Sequence, residues 1–278
     1  MIWSFQDFEK TSSLTSSAPL ARLTDWLKGS DLFEQAWKIV FGAWTIFLST
    51  QGYRYGVKHM WAYMLLGQVV AISVASNLFY LALSRSSTPS ASKRTNALYA
   101  PPALWLSVLL SMVTIGVVPM TDDRTFLPNL LIMHALLVAP LFASAPASGA
   151  SRPAFSIRIR ALYSLVTLAA LLLRLRTIAT ALAVIPSDMQ SMRNVAIIAW
   201  RVLHSHPAQS SIGWDVIWTT ISFFAWNAIG HTDAGEASDP ILGFKAFSLF
   251  TETVVASAGV SAPDYWRKQE GHADLKED

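Results

Sequence analysis

The sequence contains no cysteine. Disulfide bonds, thiolate nucleophiles and metal ions held by cysteine are therefore excluded. Several short catalytic signatures are missing as well: the chain has no glycine-rich phosphate loop, no HExxH zinc motif and no Ser-His-Asp order. The class of the protein must therefore be inferred from its composition and from the pattern of its apolar residues.

Charged residues are scarce. They make up 14% of the chain, whereas a typical soluble domain carries about 25%. The net charge of +3 is scattered, and no basic cluster indicates a nucleic-acid partner. The N-terminus, "MIWSFQDFEKTSSLTSSAPL", has neither a basic start nor an apolar core, so we expect no cleavable signal peptide. Much of the surface is expected to face a lipid bilayer.

Long apolar runs, each of roughly 17–25 residues, predict transmembrane helices. The strict alternation of a barrel strand is missing, and backbone groups in hydrocarbon must bond within their own segment. We therefore predict an all-α polytopic bundle over 33–260, between a polar N-terminal segment 1–32 and a polar tail 261–278. About seven spans are expected, at 33–50, 61–83, 101–119, 127–143, 161–184, 212–230 and 241–260.

The stretch "SDMQSMRNVAIIAWRVLHSHP" (187–207) has an apolar centre that is too short to span a bilayer. Arg193 and Arg201 flank this centre, which favours an amphipathic helix at the membrane interface over a re-entrant or tilted span. Lysine and arginine divide almost evenly between the two sides of the predicted topology. The orientation in the membrane therefore stays open.

Ionisable groups inside a span are costly, so each is a candidate for a functional site. Asp215 leads this group, in "SSIGWDVIWTTISFFAWNAIG". Helical geometry puts four further residues on the same face, within about a quarter of the circumference: Trp218, Thr219, Ser222 and Trp226. A buried carboxyl can hold a proton to donate, and indole faces stabilise a nearby positive charge. The structural alternative is that Asp215 stands in the first turn of its helix, where the helix dipole favours it.

Three more polar residues fall within predicted spans. Glu252, in "FSLFTETVVASAGV", lies mid-span and requires a partner, a proton or water. Arg174 is expected to pair with Glu252 or Asp215, or to contact substrate. His134, in "LLIMHALLVAP", is either a hydrogen-bonded core histidine or part of a proton relay.

Acidic residues in two loops raise the question of a metal site. Asp233, Glu236 and Asp239 follow the Asp215 helix at three-residue spacing, and "TDDR" (121–124) holds a second acidic pair. Such oxygen ligands suit Mg²⁺, but the small residues and proline around them favour a solvated turn. His204 and His206 have no evident third ligand for zinc. We expect neither a metal ion nor another cofactor.

The size, the span number and the late carboxylates in "GWDVIWTT" and "LFTETVV" resemble the small integral-membrane terpene cyclases of fungal meroterpenoid and indole-diterpene pathways. That resemblance implies a metal-independent isomerase of secondary metabolism in the endoplasmic reticulum membrane, next to other enzymes of its pathway. Those cyclases carry an essential acid in an early span, whereas this chain offers only Glu34 there, at a boundary. The resemblance therefore implies that the acid has moved to Asp215 or Glu252.

If the resemblance holds, a prenylated substrate folds among aromatic side chains and a carboxyl protonates its terminal epoxide or alkene. The cation then migrates beneath indole faces until a second group removes the last proton. Asp215 and Glu252 are the candidate catalytic residues. The candidate substrate contacts are Trp218, Thr219, Ser222, Trp226, Arg174 and His134. The alternatives are a membrane prenyltransferase, a proton-coupled carrier and a non-catalytic membrane scaffold.

Overall fold

The computed structural model describes residues 31–86, 98–122, 124–142, 154–204, 207–233, 248–251, 253 and 257–274. These residues are predominantly helical. The α-helices are α1 (Asp31–Tyr55), α2 (Met60–Val69), α3 (Ile72–Ser84), α4 (Pro102–Val117), α5 (Phe126–Val138), α6 (Ile159–Val184), α7 (Met192–Leu203), α8 (Pro207–Asp233) and α9 (Ala258–Asp274). Residues 248–251 are helical too. Short 3-10 helices cover Val118–Met120, Ala139–Phe142 and Ser187–Met189.

Helix α1 lies at the centre of the bundle. It packs against α4, α6, α8 and α9. Phe41, Trp44 and Phe47 on this helix are almost fully buried. Because neighbours surround α1 on several sides, apolar residues are required around most of its circumference rather than on a single stripe.

A minimal antiparallel pair of strands joins two of the longer helices. Strand β1 (Tyr99–Ala100) pairs with β2 (Ile157–Arg158), with Tyr99 opposite Arg158. Helix α4 begins just after β1 and α6 just after β2, so this pair brings the first turns of the two helices together. The apolar pattern of the sequence does not predict it.

Among the described residues, two helices are long and apolar enough to cross a membrane: Pro102–Met120 and Ile159–Ala183. Only 28% of the first and 11% of the second is buried within the protein. The core helix of a soluble protein would be mostly buried. These two segments are mostly exposed, which suits contact with lipid. The described part of the chain thus contains two candidate membrane helices, and the seven spans stay a prediction.

Exposed apolar side chains form stripes along the outer faces of several helices. On α4 they recur every three or four residues, at Leu106, Leu110, Val113 and Val117, each between 37% and 60% exposed. The outer face of α6 is similar, with exposed leucines at 165, 168, 171, 172 and 175. Continuous apolar surface of this kind is rare on soluble monomers but normal where helices contact lipid. The stripes therefore indicate association with a membrane.

The segment predicted as one span at 61–83 consists of two helices. Helix α2 ends at Val69 and α3 begins at Ile72, with Ala71 in an extended conformation between them. At 1.5 Å per residue neither piece reaches across a hydrocarbon layer of about 30 Å. The break leaves the first N–H groups of α3 without partners in their own helix, and these groups define the site described next.

Helices of the later chain differ from the expected boundaries. Helix α7 confirms the helix expected within 187–207, and Ser191 caps it by accepting a hydrogen bond from the backbone N–H of Asn194. Helix α9 runs across the expected start of a polar tail at 261 and packs against α1 and α6. Most of the predicted span 241–260 lies outside the described residues.

Candidate functional site

Asp215 of α8 lies at the break between α2 and α3. Its Oδ1 accepts a hydrogen bond from the backbone N–H of Ser73 at 2.9 Å, and its Oδ2 accepts one from Ile72 at 3.0 Å. The residue that precedes α3 in the chain, Ala71, has no side chain capable of capping. A carboxylate from a distant helix therefore caps α3 and faces the positive end of its dipole.

The expectation that Asp215 stands in the first turn of its own helix is wrong. Helix α8 begins at Pro207, so Asp215 lies in the third turn. Proline suits a first helical position because its missing N–H would have no partner there. The helix dipole that favours the carboxylate belongs to α3 instead.

Two hydroxyl groups follow Asp215 along the interface between α8 and α3. Asn77 of α3 donates from its Nδ2 to the Ser222 Oγ at 2.8 Å, and this hydroxyl donates to the Trp218 carbonyl. Thr219 is buried and donates to the Asp215 carbonyl at 2.7 Å. Asp215 and Ser222 thus contact α3 directly, while Thr219 bonds within α8.

The two tryptophans of the predicted face have different surroundings. The indole of Trp226 stacks on the ring of Tyr80, with 4.8 Å between centroids and 7° between planes. Trp218 is 55% exposed and lies beside the exposed Ile221, on an outward apolar stripe. Trp226 therefore lies at the interface with α3, on the face that helical spacing predicts. Trp218, which the same spacing puts on that face, lies on the outer surface instead.

Trp226 is one end of a continuous aromatic cluster in the bundle. The next rings are Tyr80, Trp44 and Phe47, with neighbouring centroids between 4.8 and 6.1 Å apart. Phe47 stacks in turn on Trp266 of α9 at 4.3 Å. Aromatic faces carry partial negative charge, so such a cluster can stabilise a cation held against it.

Trp44 has a polar feature that the sequence does not reveal. Its side chain is 2% exposed, and its Nε1 has no hydrogen-bond partner among the described residues. Buried polar groups without partners are uncommon and costly. The indole N–H is therefore a donor available to an oxygen atom placed within the aromatic cluster.

A second buried polar site pairs Arg54 with Glu270. The two guanidinium nitrogens of Arg54 lie 2.6 and 2.5 Å from the carboxylate oxygens of Glu270, and Glu270 is 4% exposed. Burial lowers the pKa of Arg54, but the hydrogen bonds and the negative charge of Glu270 outweigh it and raise the pKa overall. This ion pair joins the end of α1 to α9. In the sequence, Glu270 is only one charge within an apparently polar tail.

Arg174 and its neighbour Arg176 lie near the C-terminal end of α4. Arg176 donates from Nη1 to the Gly116 carbonyl at 2.8 Å, which is a favourable position for a cation at a helix C-terminus. Among the described residues Arg174 forms no ion pair with Asp215, and its Nε has no hydrogen-bond partner. The predicted pairing with Glu252 falls on a residue outside the described part of the chain.

His134 is half-buried on α5, where its Nδ1 lies 2.8 Å from the Leu130 carbonyl. The backbone carbonyl of His134 accepts a bond from Gln68 Nε2 at 3.4 Å. The first contact lies within α5, and the second links α5 to α2. These contacts suit the first alternative for His134, a hydrogen-bonded core histidine. Its role in a proton relay stays a prediction.

The two acidic loops lie only in part within the described residues. In the described residues no group of three or more histidine, aspartate and glutamate side chains could hold one. Asp122 of "TDDR" accepts hydrogen bonds from the backbone N–H groups of Arg124 and Thr125, just before α5. Those bonds and the Thr125 hydroxyl lower the pKa of Asp122. The Asp233 side chain, Glu236 and Asp239 lie outside the described part.

The comparisons with known proteins give no relative. No protein-family model, no curated protein and no solved structure matches this chain. The site therefore has to be interpreted from its own residues.

Proposed function

We propose that the protein is an integral-membrane enzyme that cyclises an isoprenoid-like substrate without a metal ion. One arrangement supports the proposal: the α8–α3 interface carries the fixed carboxylate of Asp215 and, roughly 16 Å further along α8, the stack of Trp226 on Tyr80, beyond which Trp44 holds its unpartnered N–H. Negative charge, cation-stabilising rings and a donor for oxygen are the groups that an epoxide-opening cyclisation requires.

The capping bonds change the role that we propose for Asp215. Both of its oxygens accept hydrogen bonds from backbone N–H groups at the start of α3, so we assign Asp215 the role of an acceptor. In the proposed reaction Asp215 therefore balances the charge of the cation and accepts the last proton. Glu252, outside the described residues, is the proposed donor to the epoxide, and Trp44 binds the epoxide oxygen.

The proposed setting is the endoplasmic reticulum membrane, with about seven spans. The apolar stripes on the outer faces of α4 and α6 support a bilayer as surrounding. A prenylated substrate would reach the bundle from the lipid phase, and neighbouring enzymes of the same pathway would supply it.

The test is turnover of a farnesylated epoxide by membranes that contain the protein, with and without EDTA. We expect EDTA-insensitive formation of a cyclic isomer. Asp215→Asn removes the charge and keeps one acceptor oxygen for the cap, so turnover should fall by about 10²-fold or more. The loss of the second capping bond should lower the free energy of unfolding by about 1–3 kcal/mol, and turnover is therefore compared at a temperature at which both proteins are folded. Trp44→Phe should lower turnover as well, because the donor to oxygen is lost.

Asp188→Asn is the matched control, because Asp188 is exposed and lies outside the α3–α8 interface. Unchanged turnover in Asp215→Asn would restrict Asp215 to its capping role and remove it from the proposed site. Turnover that requires Mg²⁺ and releases diphosphate would indicate a prenyltransferase instead.

A proton-coupled carrier is the second candidate, because one observation favours it. A helix broken in the membrane, with a half-helix N-terminus directed at a charged group, is typical of carrier sites, and the α2–α3 break with Asp215 has this form. Proton-coupled solute uptake in proteoliposomes, abolished by Asp215→Asn, would support this function over the cyclase.

A further inference from the structure

Helix α7 exposes apolar and basic side chains side by side. Met192 is 90% exposed and Trp200 is 60% exposed. Arg193 and Arg201 are also exposed, and the helix contains no acidic residue. In water this arrangement would leave large apolar side chains unprotected, so the helix requires a surface that takes both kinds of group.

The exposed groups of α7 occupy two neighbouring sectors. At about 100° per residue, Met192 and Trp200 lie roughly 80° apart. Arg193 follows next to Trp200, and Arg201 lies roughly 80° further round. Met192 and Trp200 therefore bound one quarter of the helix and the arginines the adjacent quarter, in which Ile197 is also exposed. Val195, Ile198 and Val202, on the opposite side, are half-buried.

The position of α7 in the chain places it where a span ends. The apolar segment Ile159–Ala183 is followed by Pro186, by the 3-10 helix Ser187–Met189 and then by α7. The end of α7 is fixed to α8, because the Ser210 hydroxyl donates to the Leu203 carbonyl at 2.7 Å. Trp200 also packs near Trp214, with ring centroids 6.4 Å apart. Tryptophans are enriched at the membrane–water boundary.

We propose that α7 lies along the headgroup layer of a leaflet that contains anionic lipids. Met192 and Trp200 enter the boundary with the acyl chains, and Arg193 and Arg201 bind lipid phosphates. Charge complementarity selects this occupant: two arginines without any acidic residue on the helix fit an anionic surface, and the apolar quarter fits the lipid beneath it. The proposal depends on membrane association and not on the proposed catalysis.

The absence of cysteine makes a direct test available. Met192→Cys introduces a single thiol, which is labelled with bimane in the full-length protein in lipid nanodiscs. We expect lipids with brominated acyl chains to quench the bimane and aqueous iodide to quench it poorly. The matched control, Asp188→Cys, precedes α7 at an exposed polar position and should give the reverse result.

The same label reports which lipid is present. Quenching by brominated phosphatidylglycerol, compared with brominated phosphatidylcholine at equal mole fraction, measures the local enrichment of anionic lipid. We expect several-fold enrichment, which Arg193→Gln with Arg201→Gln should abolish. The control pair Arg158→Gln with Arg160→Gln, which is exposed on another part of the surface, should leave it unchanged.

Three outcomes would overturn the proposal. Strong iodide quenching at position 192 would place the face in water. Protection from both quenchers would mean that a protein covers it, either a second copy or a partner. Enrichment that persists after both arginines are neutralised would remove their proposed role. None of these outcomes depends on turnover, so each is distinguishable from failure of the cyclase proposal.

Discussion

At the scale of single residues, two carboxylates of the described part of the bundle have dedicated partners. Asp215 accepts two backbone N–H groups at the start of α3, and Glu270 accepts both amino groups of Arg54. A charge moved from water to an apolar interior loses several kcal/mol of hydration unless such bonds replace it. The Asp215 carboxylate thus caps the start of a helix, whereas the Glu270 carboxylate neutralises a buried cation.

Removal of one member of the Arg54–Glu270 pair is expected to be severe. Glu270→Ala leaves a buried guanidinium without its counter-charge, so the free energy of unfolding should fall by about 3–5 kcal/mol. The double variant Arg54→Met with Glu270→Leu should recover most of that loss. Chemical denaturation in detergent, followed by circular dichroism, measures both. Equal destabilisation of the single and double variants would contradict this account.

A pH dependence is expected from Asp264 on α9. Partial burial raises its pKa, but hydrogen bonds from Lys268 and Arg267 outweigh this and lower the pKa overall. Because the folded pKa is the lower one, the stabilisation is complete above the unfolded value of about 3.9 and disappears as the pH falls through the folded value. Asp264→Asn should therefore lower the melting temperature slightly at pH 7.

The comparison with Asp264→Asn should be made as a pH series of thermal melts. The difference between the two proteins should shrink below about pH 4 and vanish at more acidic pH. A constant difference across the series would show that the charge of Asp264 is not its cause. Since Lys268 is 56% exposed, the effect at pH 7 should stay within about 1 kcal/mol.

At the scale of secondary structure, close approach decides which residues the helices tolerate. A Cβ atom at Gly52 of α1 would overlap the Met60 sulfur and come within 2.7 Å of its Cγ. Glycine inside a helix costs about 1 kcal/mol relative to alanine. The contact between the end of α1 and the start of α2 explains why the sequence keeps it.

This contact predicts that Gly52→Ala changes stability in opposite directions with and without the Met60 side chain. Gly52→Ala alone should destabilise the protein by about 1–3 kcal/mol through overpacking. In a Met60→Ala background, which removes the obstructing side chain, the same substitution should stabilise by up to about 1 kcal/mol. Thermal unfolding of the four proteins in the cycle gives both values. The same sign in both backgrounds would rule out the steric explanation.

At the scale of the whole molecule, the outward stripes of α4 and α6 are the strongest structural feature. Core residues such as Phe41, Leu104 and Tyr163 are nearly inaccessible, yet Leu110, Val113 and Leu172 are more than half exposed. A soluble monomer rarely exposes a continuous apolar stripe of this kind. Here apolar residues occupy both the interior and the outer surface.

Leu172→Arg tests this arrangement directly. Leu172 lies near the middle of the segment Ile159–Ala183 and is 59% exposed. If its face contacts lipid, insertion should become less favourable by about 2.5–3.5 kcal/mol, and the fraction resistant to carbonate extraction should drop. The control Arg160→Leu, at the polar start of α6, should leave that fraction unchanged. A Leu172→Arg protein that turned out fully inserted would contradict lipid exposure.

The sequence predicted a helical class well and the site only in part. Helical spacing correctly put Asp215, Ser222 and Trp226 on the side of α8 that contacts α3, because that spacing depends on geometry within one helix. The same spacing grouped Trp218 with them, although Trp218 faces outward. The geometry of a single helix shows which residues share a face. It does not show how much of that face the neighbouring helix covers.

By itself, the sequence determined that the chain is helical and apolar, without thiol chemistry, and that an amphipathic helix lies within 187–207. These properties follow from composition and local periodicity. Tertiary structure alone decided that Asp215 caps a broken helix, that Trp44 has an unpartnered N–H and that Glu270 is buried against Arg54. Each of these three features either joins groups that lie far apart in the chain or depends on the surroundings of a side chain. Such features arise only when one helix packs on another.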